Sequence, residues 1–386
     1  MRTQVGIIGA GPAGLVLAML LNRDGIDCVV LEARDREYVQ QRVRAGLLEQ
    51  NTVNLIRELG VSERLDREGL EHSGVYLRYH GENHYVNMAE LTGRFITIYG
   101  QQEVVKDLTN ALLEKGVPIH FEVQDVALHD IDTDQPRITF EHKNQSHELM
   151  CDAIAGCDGF HGVSRPTISE HLTEYDYTYP FGWLGILTEA EPATEELIYA
   201  WHENGFALHS MRSETISRLY LQVPADEDIE NWPDDRIWAE LATRLGEVNE
   251  GDIFDKGITP MRSYVAEPMQ HGRLFLAGDC AHIVPPTGAK GLNLAVNDVR
   301  LLAPVLTDLI KHGKTERADG YTTAALRRVW RAQDFSNYMT QMLHDLGGGP
   351  FQQRLQLSRL EYVARSETAA KSLAENYVGF PAEAEF

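Results

Sequence analysis

Two glycine-rich stretches carry the first chemistry offered by this chain of 386 residues, and they lie near opposite ends of it. In "VGIIGAGPAG", Gly9, Gly11 and Gly14 recur as G-x-G-x-x-G between the short apolar run Gln4–Ile8 and the helix-like "LVLAMLLNRDG", which stops at Gly25. The apolar run suits a buried parallel strand. At this spacing the first glycine permits a tight turn, the second lets backbone approach a pyrophosphate at a helix N-terminus, and the third lets helix and strand pack closely. A second strand, "IDCVVLE", ends on Glu32, 18 residues past Gly14, where a carboxylate meets a ribose diol and disfavours a 2′-phosphate. The complete β-α-β unit predicts a bound adenine dinucleotide, FAD or NAD rather than NADP. Position 13 is alanine, so contact through Ala13 runs by way of the backbone.

The stretch "GDCAHIVPPTGAKGLNLA", residues 278–295, selects between the two. "GRLFLAGD" reads as a strand ending in Gly-Asp, and "AKGLNLAVNDVRLLAPVLTDLIKHG" as a long helix. A carboxylate at that strand end, Asp279, suits a hydroxyl of a ribityl chain, which a flavin has and NAD lacks. The helix beginning near Gly288–Leu292 aims unpaired N–H groups at whatever lies before it. The edge of a flavin that gains negative charge on reduction is the fitting occupant. The two stretches then hold opposite ends of one FAD, the pyrophosphate at residues 9–14 and the isoalloxazine at residues 285–293.

Composition narrows the partners. The chain is 43% hydrophobic and 24% charged, with a formal net charge of −23, which argues against nucleic acid or an anionic membrane surface. No apolar run approaches the roughly 20 residues of a membrane span, and the chain opens on a strand pattern without a signal-peptide segment. The four cysteines show no C-x-x-C spacing, so neither a zinc site nor a disulfide framework is expected, and reduced thiols in a cytoplasm are. His80 and His84 have metal-like spacing, but a Gly-Glu-Asn turn between them makes a hairpin tip, and no metal is expected.

The segments "GAGPAG", "AGCDGFHGVSR" (155–165) and "GDCAHIVPPTGAKGLNLA" resemble the three signatures of the single-component flavin-dependent aromatic hydroxylases. "RVRAGLLEQ" (42–50), "YPFGWLGIL" (179–187), "LIYAWHENGFALHSMRS" (197–213), "EPMQHGRLFLAGD" and "AENYVG" are similar, within that family, to the members that hydroxylate 4-hydroxybenzoate at its 3-position. The similarity runs over essentially the whole chain. It implies an FAD reduced by a nicotinamide and oxygenated by O2, with 3,4-dihydroxybenzoate as product. The alternatives are a related hydroxylase of another hydroxy- or aminobenzoate, a nucleotide-fold binding protein of the Rab GDP-dissociation inhibitor kind, and an NAD dehydrogenase.

The resemblance also implies roles for single residues. Arg212 offers a planar fork to the carboxylate of a small aromatic acid. Ser210, two residues away on the same strand face, adds a donor; Met211 between them and Tyr220 complete the acid end. Tyr199 takes the phenol proton, Tyr377 carries it on, and His72 exchanges it with solvent. A phenolate is a stronger nucleophile than a phenol, so this relay sets the rate of attack. The Pro286 carbonyl accepts from the substrate hydroxyl, and proline stiffens its loop. Leu292 and Asn293 lie against the isoalloxazine, while Lys290 either adds positive charge there or faces solvent. Arg42, Val43, Arg44, Ala45, Gly46, Leu47 and Gln102 match positions that hold the pyrophosphate and ribityl chain. Arg218 and Asp158 are candidates for controlling flavin position and for a second phosphate-side contact. The stretch "ARDREYVQQR", with His161 and Arg262, resembles the surface that takes NADPH. Arg34, Tyr38 and Arg42 suit a 2′-phosphate, so NADPH is favoured; Asp35 and Glu37 weigh against it and leave NADH as the alternative.

Positioning these groups requires an α/β fold with an α+β insert. Residues 1–72, 96–180 and 267–296 read as a Rossmann-like FAD-binding domain. Residues 73–95 and 181–266 read as an interleaved antiparallel sheet over the substrate, with one helix, "DDRIWAELATRLGEV". Residues 297–386 read as C-terminal helices that include a homodimer contact.

Overall fold

The computed structural model describes residues 1–42 and 46–381. The strand Val5–Ile8 is buried throughout and pairs in parallel with Cys28–Leu31 on one side and Ala153–Gly156 on the other. A run with no polar side chain is what a strand covered on both faces demands. Leu274–Leu276 and Ile119–His120 extend the parallel sheet, and Gln270–His271 closes one edge antiparallel, giving six strands. The helix Pro12–Arg23 begins with proline at its first turn, where the missing N–H costs nothing, and ends before Gly25 at φ 66°. It shares one apolar core with the sheet and with the helix Gly291–His312.

A second, eight-stranded sheet takes in Gly74–Tyr79, Glu82–Asn87, Thr173–Glu189, Leu197–Ala200, Ala207–Met211, Ser217–Pro224, Asp252–Glu267 and His282–Ile283. Buried and half-buried residues alternate along Ser217–Pro224, as they must where each face meets a different neighbour. One face packs on the helices Glu316–Leu343, Gly349–Arg365 and Glu367–Val378, and Tyr199, Phe206, Trp183 and Tyr377 meet there. The other face covers the helix Asp234–Leu245 with Trp232, Trp238 and Leu241.

The sheet departs from the expected antiparallel pattern at one join. Leu197–Ala200 runs parallel to Gly74–Tyr79, because the two strands come from distant parts of the chain rather than from one hairpin. The hairpin of residues 74–87 turns at His80–Gly81, with φ 52° and 78°, so its turn is tighter than Gly-Glu-Asn. His84 therefore lies on the returning strand, stacked 4.2 Å from the Tyr79 ring. Among the described residues no helix is long and apolar enough to cross a membrane, and all four cysteines are buried free thiols.

Candidate active site

The three signature segments converge. A Cβ on Gly9 would stand 2.4 Å from the Cys157 carbonyl oxygen, and one on Gly14 would stand 2.0 Å from the Gly9 oxygen, so both turns close only with glycine. A Cβ on Gly278 would touch Ala295 and Ala13 at 3.3 and 3.4 Å, which joins the late glycine turn to the first helix. Gly11 has nothing within 4 Å, leaving open space above the N-terminus of that helix. The two oxygens of Glu32 accept from the N–H groups of Ala10 (2.7 Å) and Arg34 (2.8 Å). Each keeps a further lone pair with which to meet a ribose hydroxyl.

Two buried clasps fix the other end. The Gly278 N–H donates to Asp298 at 2.8 Å, and the same Asp298 oxygen meets His282 Nε2 at 2.6 Å, which leaves Asp279 exposed at the strand end. Burial alone would lower the His282 pKa, but the charge and hydrogen bond of Asp298 raise it. Asn293 spends its whole side chain on the protein. Its oxygen accepts from the Glu49 N–H and Thr52 hydroxyl, and its amide donates to the Leu47 and Ala289 carbonyls. The Asn293 side chain is thus fully engaged within the protein. The first N–H groups of Gly291–His312 have neither an intrahelical partner nor a side-chain cap.

Lys290 does not face solvent. It is 2% exposed and donates to Glu49 Oε1 at 2.6 Å and to the Tyr377 carbonyl at 2.8 Å. Arg328 grips the other Glu49 oxygen. Burial would raise the Glu49 carboxyl, but the charges of Arg328 and Lys290 and their hydrogen bonds hold it below the usual carboxylate range. Sequence reasoning missed Glu49, Arg328, His282 and Asp298, since nothing local distinguishes a buried charge from a surface one.

Register places the substrate candidates. Tyr199 and Tyr220 both sit opposite Leu208, and Ser210 sits opposite Arg218, so these side chains share one sheet face. Met211 and His209 alternate to the other face. The Met211 side chain therefore points away from the face that bears Ser210. His209 accepts from the Ala193 N–H, and burial pushes it down to about 4. Arg212 leaves the strand end and lies over the loop that bears Gly46, where a Cβ would stand 2.7 Å from its Nη1. Burial and the neighbouring Arg218 push the Arg212 guanidinium down to about 10. Gln102 folds over Gly100 beside Gly46, with its buried Oε1 unpartnered.

Tyr199 and Tyr377, 178 residues apart, meet with hydroxyls 2.6 Å apart, 1% and 0% exposed. Burial pushes both phenols well up; the mutual hydrogen bond lowers Tyr199 and raises Tyr377. His72 is buried, and no described hydrogen bond joins it to Tyr377. Pro286 is exposed in a short turn, and its carbonyl accepts from the Ala289 N–H at 2.9 Å, leaving one lone pair. Leu292 is half-buried at the helix start, and Leu47 is buried in the adjoining strand.

The remaining candidates form separate groups. Asp158 accepts from Ser164 N–H and Oγ, so it organises its own loop. Tyr38 lies between Arg34 and Arg42, at 5.3 and 5.8 Å from ring centroid to guanidinium. His161 packs on Phe160, which also carries Arg262 at 4.3 Å. Arg262 is engaged bidentately by Asp176. No described contact joins this group to Tyr38. Val43, Arg44 and Ala45 lie outside the described residues.

Residues 2–336 match the family model described as "FAD binding domain". The chain is 45% identical to p-hydroxybenzoate hydroxylase of Acinetobacter baylyi, covering 99% of this chain and 96% of that one. It is 25% identical to a probable NADH-specific resorcinol 4-hydroxylase of Rhodococcus jostii, over 78% of this chain and 58% of that one. The fold matches the crystal structure of p-nitrophenol 4-monooxygenase from Pseudomonas putida with a TM-score of 0.86, at 19% identity, over 98% and 99% of the two chains. The residues present fit FAD. The space above Gly11, the uncapped helix start at Gly291, the unpartnered Gln102 oxygen and the exposed Asp279 are donors, acceptors and room of the kind it needs.

Replacing Glu49 by Gln leaves two buried cations facing a neutral amide and is expected to destabilise the protein by about 3–5 kcal/mol near neutral pH. Because the folded Glu49 carboxyl is depressed, its contribution is present above the ordinary carboxylate value and is lost as pH falls through the folded one. Urea denaturation of both proteins near neutrality and in acid should show the gap narrowing. A gap that is absent, or equal at both pH values, contradicts the clamp.

Proposed function

Because the chain belongs to the FAD-binding-domain family of flavin-dependent aromatic hydroxylases, we propose that it hydroxylates 4-hydroxybenzoate at the 3-position, using NADPH and O2. The observation that carries this reading is the direct hydrogen bond between Tyr199 and Tyr377, on the sheet face that also bears Ser210 and Tyr220. A phenol end and an acid end on one face suit a ring with hydroxyl and carboxylate para to each other.

Arg212 holds the substrate carboxylate with Ser210 and Tyr220, and its partial desolvation strengthens that pair. The phenol O–H donates to Tyr199 Oη while Tyr199 donates to Tyr377 Oη. Since burial keeps both tyrosines neutral, the proton moves by exchange along hydroxyls and neither becomes an anion at rest. The remaining Pro286 lone pair is an alternative acceptor for the same phenol O–H, which donates to one of the two at a time. Bound FAD, once reduced by the nicotinamide and charged with O2, supplies the electrophilic oxygen. The ionised phenol raises electron density at the ortho carbon that receives it. Asn293, Lys290 and Glu49 fix the helix start against the strand Leu47–Glu49, so this chemistry proceeds in a dry, preorganised site. NADPH takes the basic surface of Arg34, Tyr38 and Arg42, with His161 and Arg262 as further contacts. A cytoplasmic location and a homodimer complete the reading; Phe351 and Tyr362 of the C-terminal helices, 76% and 62% exposed, suit a second copy.

Arg212→Ala should weaken 4-hydroxybenzoate binding by about 1.5–3 kcal/mol, the range of a lost charge-assisted hydrogen bond, while FAD content stays normal. Unchanged binding, or loss of FAD, contradicts the grip. Tyr199→Phe and Tyr377→Phe should both keep FAD and still oxidise NADPH, but consume O2 in excess of hydroxylated product, Tyr377→Phe less severely. The check is O2 consumed against 3,4-dihydroxybenzoate formed, and full coupling in both variants would make these tyrosines packing residues.

A further inference from the structure

The outer end of the proton path lies beyond the tyrosine pair. His72 is 3% exposed, and neither of its ring nitrogens has a hydrogen-bond partner. Its Nδ1 stands 3.3 Å from Glu196 Oε2, out of hydrogen-bond alignment, and the Glu196 side chain is 17% exposed where that of His72 is 3%. Glu196 directly precedes the strand Leu197–Ala200 and so lies three residues before Tyr199. Its two oxygens are used differently. Oε1 accepts from the N–H groups of Ser73 (3.0 Å) and Gly74 (3.2 Å) and from the Tyr85 hydroxyl (3.1 Å). Oε2 accepts from nothing and faces His72. One oxygen anchors the carboxylate and the other is left for exchange. The same charge reaches Tyr377, where it adds to burial and to Tyr199 in holding the phenol proton.

We propose that Glu196 is the positioning residue that ends the relay, taking the proton from His72 and releasing it to water. This rests on the relay reading given above. The step is a proton transfer alone. The proton lost by the bound phenol is matched by one delivered to His72. The His72 Nδ1–H bond then breaks, an O–H bond forms at Glu196 Oε2, the imidazole returns to neutral, and the carboxylic acid gives its proton to solvent. A buried imidazole needs such an exit, because its own nitrogens have little access to water. A carboxylate anchored through one oxygen keeps the other in place without reorganisation.

The test is stopped-flow mixing of 4-hydroxybenzoate with the FAD-loaded enzyme, following phenolate by absorbance, in wild type, Glu196→Gln, Glu196→Ala and Tyr377→Phe. Glutamine keeps an acceptor for the Ser73, Gly74 and Tyr85 donors but offers no basic oxygen. Phenolate should form on the order of tenfold more slowly in Glu196→Gln, below the usual span for a positioned acid–base group because water is an alternative acceptor. Its final amplitude should not fall, since removing a negative charge favours a phenolate. Added formate should restore the rate in Glu196→Ala, which a merely structural defect would not allow. A wild-type rate in Glu196→Gln while Tyr377→Phe is slowed overturns the role of Glu196 and leaves the relay standing. A slow rate in Glu196→Ala that formate does not restore also overturns it. A wild-type rate in Tyr377→Phe overturns the relay, and this inference with it.

Discussion

The hydrogen bond between the Tyr199 and Tyr377 hydroxyls is the contact on which the site depends. One partner sits on a strand inside the eight-stranded sheet and the other on the last helix, so the bond exists only when both are seated. Lys290 ties that helix to the start of Gly291–His312 through the Tyr377 carbonyl, and Glu49 ties Lys290 to the strand beside it. The hydroxyl that would accept the substrate proton is thus fixed by the same clasp that fixes the flavin-facing helix start. One framework thus joins the tyrosine pair to the start of Gly291–His312.

That framework is made of buried charges, which are costly to desolvate and are tolerated only when paired. Glu49 with Lys290 and Arg328 is one such group, and Asp298 with His282 is another. Both lie where glycine-rich backbone must keep an unusual course, at the turns around Gly278 and Gly291. Gly278 itself sits at φ 73° with its N–H on Asp298. Apolar packing alone would leave these turns without directional support.

Much of the fold was legible because its rules are local. The run Gln4–Ile8, the three glycines and the proline at the helix start each constrain their own few residues, and those constraints agree with one another. Strand alternation places Ser210 and Met211 on opposite faces, whereas Arg212 lies beyond the strand end, where alternation no longer decides its direction. What could not be read was pairing between distant residues. Asn293 and Lys290 each find partners on residues 47–52, more than 240 positions away, and a lysine beside a glycine in sequence looks the same whether it is solvated or clamped. The parallel join of Leu197–Ala200 to Gly74–Tyr79 was hidden for the same reason. His72 was singled out as a candidate by its segment, but the carboxylate beside it, in the run "ATEEL", drew no notice.

The central claim is that this buried pair of neutral tyrosines draws the proton from the bound phenol. The most direct measurement is the absorbance difference on binding 4-hydroxybenzoate to the intact FAD-loaded protein near neutral pH, below the point where the free phenol ionises. A phenolate band that appears on binding is the expected result. A substrate that binds tightly yet keeps the spectrum of a neutral phenol would contradict the claim.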